Sequence, residues 1–468
     1  KINPNLDPEH FRDSLASVSS EGKRNWIYPK KVSGKFYKWR TYLSWVLLAI
    51  LFAGPFIQVG GRPYMLFNIF ERNFIIFGAA FWPQDTHLLI FLLLILFVFV
   101  ILFTAVFGRI FCGWACPQTL FLEMVFRKIE YAIEGDANQQ RKLNEMPWNS
   151  EKIWKKGLKM TIFVIISLMI SHLVMAYLIG VDQVMEIVSQ PPSAHMAGFI
   201  GLMAFTGIFL FVFSWFREQA CIVVCPYGRL QGVMLDPNSI VVAYDYVRGE
   251  PRGKIKRHAE PEKKLGDCID CMACVKVCPT GIDIRNGTQL ECVNCTACID
   301  ACDHIMESVH KPTGLIRYAS ENNIARSEKL KVTPRIIAYS VVLVALVAVL
   351  FALMLTRKDV QATVMRAQGM LFQKQEDGRI SNLYNIKLIN KTRDTMPVEL
   401  RLIGTNGEIQ VVGKPIVMKP ESANDAVFFV IMDKQDIPHR KNKIEIGVYS
   451  KGEKLDDVNT NFMGPGGH

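Results

Sequence analysis

The sequence predicts a multi-domain membrane protein in which a five-helix transmembrane domain is joined to two further domains. Three observations support this fold class: five long apolar runs without charges, a block of eight cysteines between the fourth and fifth runs, and short alternating runs after the fifth. The composition agrees, because 50% of the 468 residues are hydrophobic and the mean hydropathy is +0.18 although 21% are charged.

Five apolar runs are long enough to cross about 30 Å of hydrocarbon. They are residues 41–61, 86–108, 160–181, 187–216 and 336–356. The stretch LLIFLLLILFVFVILF in the second run is too long and too apolar for a helix in the core of a soluble protein. We therefore expect five transmembrane helices in contact with membrane lipid.

The distribution of Lys and Arg predicts the orientation of these helices. Residues 1–40 carry nine Lys and Arg residues and the segment 109–159 is similarly basic, whereas 62–85 and 182–195 carry only Arg62 and Arg72. By the positive-inside rule the N-terminus is then cytoplasmic and the C-terminal domain periplasmic. The same rule accounts for the formal charge of +11, so no nucleic-acid partner is expected.

The expected domains follow from these boundaries. They are a cytoplasmic tail (1–40), spans one to four (41–249), a cytoplasmic cysteine-rich domain (250–330), the fifth helix (331–357) and a periplasmic β-sandwich (358–468).

Two cysteine runs with identical spacing fill the inserted domain. Both read C-x2-C-x2-C-x3-C: Cys268, Cys271, Cys274 and Cys278, then Cys292, Cys295, Cys298 and Cys302. In a reducing compartment such a cluster favours metal over disulfides. Zinc knuckles are the alternative, but they use shorter Cys-x-x-Cys pairs and would leave ligands unused. The spacing resembles that of bacterial ferredoxins and predicts a 2[4Fe-4S] ferredoxin-like domain.

The ferredoxin resemblance also implies which cysteines share a cluster. Three close cysteines of one run are completed by the last cysteine of the other run. This assigns one [4Fe-4S] cluster to Cys268, Cys271, Cys274 and Cys302, and the second to Cys292, Cys295, Cys298 and Cys278. Asp303 stands where a second proline often follows, a departure that removes no ligand. Two such clusters indicate the transfer of single electrons.

The other four cysteines form a repeated Cys-x3-Cys-Pro motif. Cys112 and Cys116 lie in RIFCGWACPQ, and Cys221 and Cys225 lie in REQACIVVCPYG. The repetition indicates a duplicated helical hairpin, with each thiol pair on one face of a helix that the proline ends directly after the second thiol. Buried apolar cysteines are one interpretation. A copper(I) site or a redox-active dithiol pair is the other.

Two further sequence features lead to predictions about the membrane domain. His87, His172 and His195 fall near the predicted outer ends of spans two to four, where they are either single structural histidines or a second metal or haem site. The stretch QTLFLEMVFRKIEYAIEG predicts an interfacial amphipathic helix with Arg127 and Lys128 opposite its apolar side.

The C-terminal segment changes to period-two patterning. The runs LYNIKLIN, MPVELRLIG, GEIQVVG, AVFFVIMD and NKIEIGVYS follow Arg357 and are separated by Asn, Gly, Pro and Lys. This spacing predicts an immunoglobulin-like β-sandwich without metal-ligand clusters. Docking or stability is its expected role.

Taken along the chain, these features resemble the FixG/CcoG (RdxA) family of cytochrome c oxidase accessory proteins. The resemblance rests on the five spans, both Cys-x3-Cys-Pro motifs, the ferredoxin insert followed by GLIRY (314–318), and the sandwich. It implies a bacterial inner-membrane protein that reduces Cu(II) to Cu(I) for the copper centre of cbb3-type oxidases. Expected partners are oxidase assembly factors, a copper-exporting P-type ATPase and a second copy in a homodimer. Copper binding and reduction would then fall to Cys112, Cys116, Cys221 and Cys225.

Two rival functions stay open. One is a NapH- or NosR-like subunit that exchanges electrons with quinone and has no copper chemistry, although the C-terminal sandwich differs from the NapH type. The other is a redox-sensing assembly scaffold. Copper stoichiometry separates copper reduction from both rivals. No nucleotide-binding motif appears, so the expected electron donor is an unidentified cytoplasmic one rather than a nucleotide bound to this chain.

Overall fold

Two compact units make up the chain, residues 1–348 and 349–468. The computed structural model describes residues 16–19, 21–59, 63–69, 73–76, 79–81, 85–254, 265–329, 332–367, 369, 371–392, 394–420 and 422–465. Part of the predicted tail, the end of the first predicted span, and Arg62 and Arg72 lie outside the described residues.

Fifteen α-helices occur in the described residues. In chain order they are α1 (Lys35–Ala53), α2 (Thr86–Phe107), α3 (Ile110–Trp114), α4 (Pro117–Thr119), α5 (Arg127–Ile133), α6 (Ala137–Glu145), α7 (Ser150–Ile179), α8 (Val181–Ser189), α9 (Met196–Phe211), α10 (Pro226–Met234), α11 (Tyr246–Gly249), α12 (Ala273–Lys276), α13 (Ala297–Ser308), α14 (Glu321–Arg326) and α15 (Pro334–Leu355). Three π-helical turns interrupt them at Leu120–Phe126, Val212–Phe216 and Ala220–Val224.

Four helical segments of the described chain are long and apolar enough to cross a membrane. They are Thr86–Phe107, Ser150–Ile179, Pro192–Phe216 and Pro334–Leu355, at the second to fifth predicted spans. The first predicted span overlaps α1, whose basic first turns with Lys38 and Arg40 make it less apolar. Helix α1 ends at Ala53, well before residue 61, because Gly54 and Pro55 follow. A small antiparallel sheet of β1 (Met65–Asn68), β2 (Asn73–Ile76) and β3 (Ala79–Phe81) precedes α2.

Small polar residues and phenylalanines hold the membrane helices together. The Thr206 hydroxyl on α9 donates to Ser171 Oγ on α7 at 2.8 Å, and both side chains are buried. Next to this contact the rings of Phe126 and Phe213 stack at 5.0 Å between centroids. Small hydroxyl residues allow close approach of helices in lipid. The two hairpins of the repeat therefore share one core.

A buried network of charged side chains lies at the end of these helices that carries the cysteine motifs. Arg217 donates to Glu130 at 2.7 Å, and Lys159 lies 2.8 Å from Glu134. Arg127, predicted on the polar face of an amphipathic helix, is instead only 1% exposed and is paired with Glu123. The prediction was wrong: Leu120–Phe126 is π-helical, so the α-helical period on which the prediction rested does not apply there.

The cysteine-rich domain is contiguous with the membrane helices and the tail. Strand β4 (Val241–Tyr244), which lies before the expected domain start at 250, pairs antiparallel with β5 (Ile316–Ala319). At the start of α1 the backbone N–H groups of Phe36 and Tyr37 donate to Asp300 on α13, at 3.1 and 2.7 Å. The Asp300 carboxylate thereby accepts hydrogen bonds from backbone N–H groups that have no acceptor within the first turn of a helix.

The second unit is a β-sandwich. Its strands are β6 (Val360–Arg366), β7 (Gln373–Lys374), β8 (Ile380–Asn390), β9 (Met396–Ile403), β10 (Glu408–Val411), β11 (Ile416–Met418), β12 (Ala423–Met432), β13 (Lys441–Ser450) and β14 (Glu453–Met463). One antiparallel sheet has the order β10-β12-β8-β6 with β7 beside β8, and the other has β11-β9-β13-β14. Tyr384, Phe428, Ile446 and Phe462 are fully buried between them.

Candidate iron-sulfur and thiol sites

Both cysteine runs adopt the same unusual backbone turns. The residues on either side of the second cysteine are left-handed in each run: Asp270 and Met272 (φ 54° and 59°), then Asn294 and Thr296 (φ 54° and 65°). This conformation is rare away from glycine and is unfavourable for the β-branched Thr296. Such turns direct successive backbone N–H groups toward one point and bind anions, iron-sulfur clusters among them. The residues with unfavourable backbone angles therefore lie where backbone N–H groups could donate hydrogen bonds to a cluster.

The first cluster set comprises Cys268, Cys271, Cys274 and Cys302. The pKa of Cys302 is raised to about 12, mainly by burial and in addition by the neighbouring groups of Cys274, Asp303, Cys271 and Cys268. Cys268, Cys274 and Cys302 belong to one apolar core that includes Leu315. Cys271 is exposed and lies close enough to Cys274 to raise the pKa of that thiol. A thiol with such a pKa stays protonated at neutral pH unless a metal binds it. The set brought together is the one that the ferredoxin resemblance implies.

The second cluster set comprises Cys278, Cys292, Cys295 and Cys298. All four line one apolar cavity together with Cys274 and with aliphatic side chains. Burial raises the pKa of Cys298 well above its usual value, and Cys295, Cys292 and Cys278 add to that effect. Backbone N–H groups at Thr280, Ile282 and Gly281 face the sulfur of Cys278. A dry cavity ringed by four thiols and backbone donors fits a [4Fe-4S] cluster.

Asp303 has a structural role of its own. Its Oδ1 accepts the backbone N–H of Gly314 at 2.8 Å, which fastens α13 to the GLIRY segment. Burial raises the pKa of this carboxyl. The residue that replaces a proline after Cys302 thus anchors the strand behind the first cluster set.

The two Cys-x3-Cys-Pro motifs fold alike, but differently from the prediction. Helix α3 ends before Cys116, which is extended (φ −60°, ψ 126°) and precedes Pro117 at the first position of α4. Cys225 is likewise extended (φ −64°, ψ 113°) ahead of Pro226. Proline therefore begins a new helix rather than ending the old one after the second thiol. The reason is that a residue before proline avoids the α region, whereas proline suits the first helical position.

These motifs bring four thiols together as a boundary tetrad (Cys112, Cys116, Cys221 and Cys225). The Gln231 amide, on the helix after the second motif, donates to Cys112 Sγ of the first motif at 3.4 Å. The pKa of Cys221 is raised to about 12, mainly by burial and in addition by the neighbouring thiols of Cys116, Cys112 and Cys225. The duplicated hairpins thus build one site from two halves.

Arg109 joins the tetrad to the second cluster set. Its guanidinium donates to the carbonyl oxygens of Gly228, after the second motif, and of Leu290, before Cys292. Arg109 is only 5% exposed. The sequence placed it three residues before Cys112, but spacing alone gave no indication of this bridging role.

The tetrad packs directly against the second cluster set. Cys112 contacts an apolar group that contains Val293, Cys295 and Cys298. Helix α3 approaches so closely that a Cβ on Gly113 would lie 2.5 Å from the Val293 carbonyl oxygen. The first motif and the second cluster set are therefore in direct packing contact.

Tyr318, in the GLIRY segment, makes a second connection. Its hydroxyl accepts from Trp114 Nε1 at 2.9 Å and donates to the Asn294 carbonyl at 3.3 Å. Trp114 lies between the two thiols of the first motif, and Asn294 lies between two ligands of the second set. The family resemblance rests partly on this segment but does not explain what the segment does. The hydrogen bonds of Tyr318 show that it joins the first motif to the second cluster set.

The thiols of the tetrad and of the two cluster sets are not arranged around a point where one metal ion would bind. Among the described residues, no group of three or more His, Cys, Asp or Glu side chains is arranged to hold one metal ion. This applies to the tetrad and to both cluster sets alike. One copper ion at the tetrad would require the thiols to draw closer.

The three histidines separate into a pair and a single residue. His172 and His195 line one cavity between α7, α8 and α9, whereas His87, at the start of α2, does not line it. A metal or haem site there could therefore use His172 and His195 but not His87.

Curated relatives place the chain among known proteins. It is 35% identical to protein RdxA of Cereibacter sphaeroides over 398 residues, which cover 81% of this chain and 83% of RdxA. It is 33% identical to protein RdxB of the same organism over 422 residues, 86% of this chain and 88% of RdxB. It is 32% identical to the nitrogen fixation protein FixG of Rhizobium meliloti over 441 residues, 85% of this chain and 83% of FixG.

This chain belongs to the FixG/RdxA family. Family models agree: a 4Fe-4S dicluster domain matches residues 216–321, a 4Fe-4S binding domain matches 89–133, and the IG-like fold at the C-terminus of FixG matches 350–465. The crystal structure of a FixG-related protein from Vibrio parahaemolyticus covers 23% of this chain and 99% of that chain. At 20% identity and a TM-score of 0.21 it carries no argument about the fold.

Membership confirms the predicted family and fold class. This FixG/RdxA-family chain is an iron-sulfur electron-transfer protein of the membrane, with a C-terminal immunoglobulin-like domain. The individual cluster ligands and domain limits stay predictions that the observed geometry fits. The match to residues 89–133 includes Cys112 and Cys116, so it bears on the chemistry of the tetrad.

Proposed function

We propose that this chain reduces Cu(II) to Cu(I) at the boundary tetrad, for assembly of the copper centre of a cbb3-type cytochrome c oxidase. The observation that carries the proposal is the convergence of four thiols from two repeats directly beside the second cluster set. Thiolates are soft ligands that favour Cu(I) over Cu(II), so a tetrad that binds copper also favours its reduced form.

The electron balance of this reaction is simple. When bound, a [4Fe-4S] cluster supplies one electron at a time. Copper is the substrate, and Cu(II) becomes Cu(I) on gaining one electron, which a cytoplasmic one-electron donor replaces. The tetrad thiols hold the product, and the packing of Cys112 against the apolar group that contains Val293 and Cys295 keeps the transfer distance short.

Location and partners belong to the same proposal. The chain lies in the bacterial inner membrane with the cluster domain in the cytoplasm and the sandwich in the periplasm. Basic residues at the motif end of the helices, including Lys156 and Lys159, support this orientation. Oxidase assembly factors, a copper-exporting P-type ATPase and a second copy of the chain are the proposed partners.

Rapid mixing under anaerobic conditions tests the reaction. Full-length protein is reduced with dithionite, desalted and mixed with Cu(II) and a Cu(I) chelator, while cluster absorbance and chelated Cu(I) are followed. Wild type is compared with Cys112→Ser, Cys116→Ser, Cys221→Ser and Cys225→Ser. Val224→Ser is the matched control, since Val224 lies beside Cys225 and is 65% exposed. We expect the serine variants to lose at least tenfold in rate and the control to be unchanged.

The opposite result has a clear meaning. If the serine variants keep their iron and reduce copper as fast as wild type, the clusters react with copper without the tetrad, and the proposed site is wrong. Quinol oxidation by the purified protein would instead favour quinone-linked transfer.

A second candidate role for the tetrad has its own support. The 4Fe-4S binding domain that matches residues 89–133 covers half of the tetrad, and four cysteines are the usual ligand set of such a cluster. The chain would then relay electrons without copper chemistry. Iron analysis separates the two roles: two clusters account for about eight iron atoms per chain, and a third adds about four. Iron lost in the serine variants would identify the relay.

A further inference from the structure

A cavity between α7, α8 and α9 lies away from all twelve cysteines. His172 follows Lys159 by thirteen residues on α7, or about 20 Å at 1.5 Å per residue, so the cavity lies at the other end of the helices from the motifs. Its lining includes His172 and Met175 from α7, Met203 from α9, and His195 just before α9. We call this the His-Met cavity.

The hydrogen bonds of the two histidines leave each with one free ring nitrogen. His172 Nδ1 lies 2.8 Å from the Leu168 carbonyl oxygen, which only accepts, so Nδ1 carries the proton and Nε2 keeps its lone pair. His195 Nε2 lies 2.9 Å from Gln190 Oε1, which leaves Nδ1 as the lone-pair nitrogen. A histidine whose second nitrogen donates to a carbonyl is oriented as metal ligands usually are.

The chemistry of the lining selects among metal ions. Two imidazoles and two thioethers are neutral, and none of the described residues that line the cavity is charged. A divalent ion would keep its full charge in such an apolar site without an anionic ligand, which is costly. Thioether and imidazole together suit soft monovalent copper. Since methionine has three rotatable bonds, Met175 and Met203 adjust readily around an ion.

We propose that the His-Met cavity binds a single Cu(I) ion through His172, His195, Met175 and Met203. The site does not depend on copper reduction at the tetrad, because it uses different residues at the other end of the helices. A haem is the competing occupant, but haem iron binds histidine through Nε2, which in His195 is already engaged with Gln190.

Silver titration in a variant without the tetrad tests the site. Full-length protein with its iron clusters intact carries serine at all four tetrad positions, and Ag(I) serves as a redox-inert substitute for Cu(I). Ag(I) is added past one equivalent in competition with a chromophoric chelator, and only points at which cluster absorbance stays constant are used. We expect one tight equivalent, and at least a tenfold loss of affinity in His172→Gln and in Met203→Leu.

Matched controls come from the same end of the helices. His87→Gln changes a histidine outside the cavity, and Met185→Leu changes an exposed methionine of α8 that does not line it. Both should leave silver affinity unchanged. X-ray absorption of the Cu(I) form should find nitrogen and thioether sulfur around copper.

Two results would overturn the proposal. Silver affinity that is equal in the tetrad-free parent and in its His172→Gln and Met203→Leu derivatives would place the ion elsewhere. A haem absorption band that disappears in His172→Gln would assign the cavity to haem. Met203→Leu conserves side-chain volume and polarity, so we expect this variant to fold. Iron content checks the fold of each variant.

Discussion

At the scale of single residues, the most demanding feature is the buried ion pair of Arg217 and Glu130. Their side chains are 3% and 4% exposed, and two hydrogen bonds of 2.7 and 3.0 Å join them. Breaking a buried pair by removing one partner leaves an uncompensated charge, which costs about 3–5 kcal/mol. Arg217 precedes Cys221 by four residues, so this pair also fixes where the second motif begins.

Arg217→Met should therefore strongly destabilise the membrane unit. We expect a loss of about 3–5 kcal/mol, because Glu130 would stay buried without its main partner. The measurement is thermal unfolding in detergent followed by tryptophan fluorescence. Lys155→Met is the control, since Lys155 and Glu151 form an exposed pair on α7 worth about 0–1 kcal/mol. Equal effects of the two substitutions would contradict the prediction.

The same pair predicts a dependence on pH. Burial alone would raise the pKa of Glu130, but Arg217 and Lys159 lower it more, so the pKa lies below its ordinary value. A lowered carboxyl pKa gives stability that is complete above the unfolded-state value and is lost as the pH falls through the folded-state value. As the pH falls from 7 to well below the ordinary glutamate pKa of 4.5, the melting temperature should fall less steeply in Glu130→Gln than in wild type. Both proteins carry the same clusters, so parallel curves would assign the acid sensitivity to other groups.

At the scale of elements, the close approach of α3 to the second cluster set is the contact on which the proposed electron route depends. Gly113→Ala would place a Cβ 2.5 Å from the Val293 carbonyl oxygen and 2.7 Å from that of Asn294. Because backbone cannot yield easily, α3 must shift away. We expect copper reduction to slow by roughly tenfold or more, with iron retained. Stopped-flow traces of the kind used for the tetrad measure this.

Gly157→Ala supplies the control for that substitution. Gly157 lies in α7 with nothing within 4 Å of the added Cβ, and alanine is the better helix former by about 1 kcal/mol. Its electron-transfer rate should equal that of wild type. If Gly113→Ala also matches wild type, α3 is not part of the route.

The helices and turns also show which structural features the sequence predicts and which it does not. Apolar length predicted spans two to five and cysteine spacing predicted the ferredoxin-like insert, because both signals are local. The buried position of Arg127 was missed, since a π-helical turn leaves no mark in hydrophobic periodicity. The bridges made by Arg109 and Tyr318 join segments about 180 and 200 residues apart, and no spacing rule reaches that far.

At the scale of the whole molecule, two kinds of site occupy opposite ends of the same helices. The tetrad and the clusters lie at one end, and the His-Met cavity lies at the other. In the proposed orientation, copper reduced at the tetrad would be cytoplasmic or newly imported. The orientation of the chain in the membrane decides which compartment each site faces.

The orientation is tested by labelling single added cysteines in intact spheroplasts with a membrane-impermeant maleimide. Ser308→Cys places an exposed thiol at the end of α13 in the cluster domain, and Asn406→Cys places one on an exposed turn of the sandwich. The proposed orientation rests on the excess of Lys and Arg in residues 1–40 and 109–159, which favours a cytoplasmic location for these segments. We therefore expect labelling of Asn406→Cys in intact cells and of Ser308→Cys only after lysis, with unmodified protein as the blank. Labelling of Ser308→Cys before lysis would place the clusters outside, and copper reduced at the tetrad would then be periplasmic.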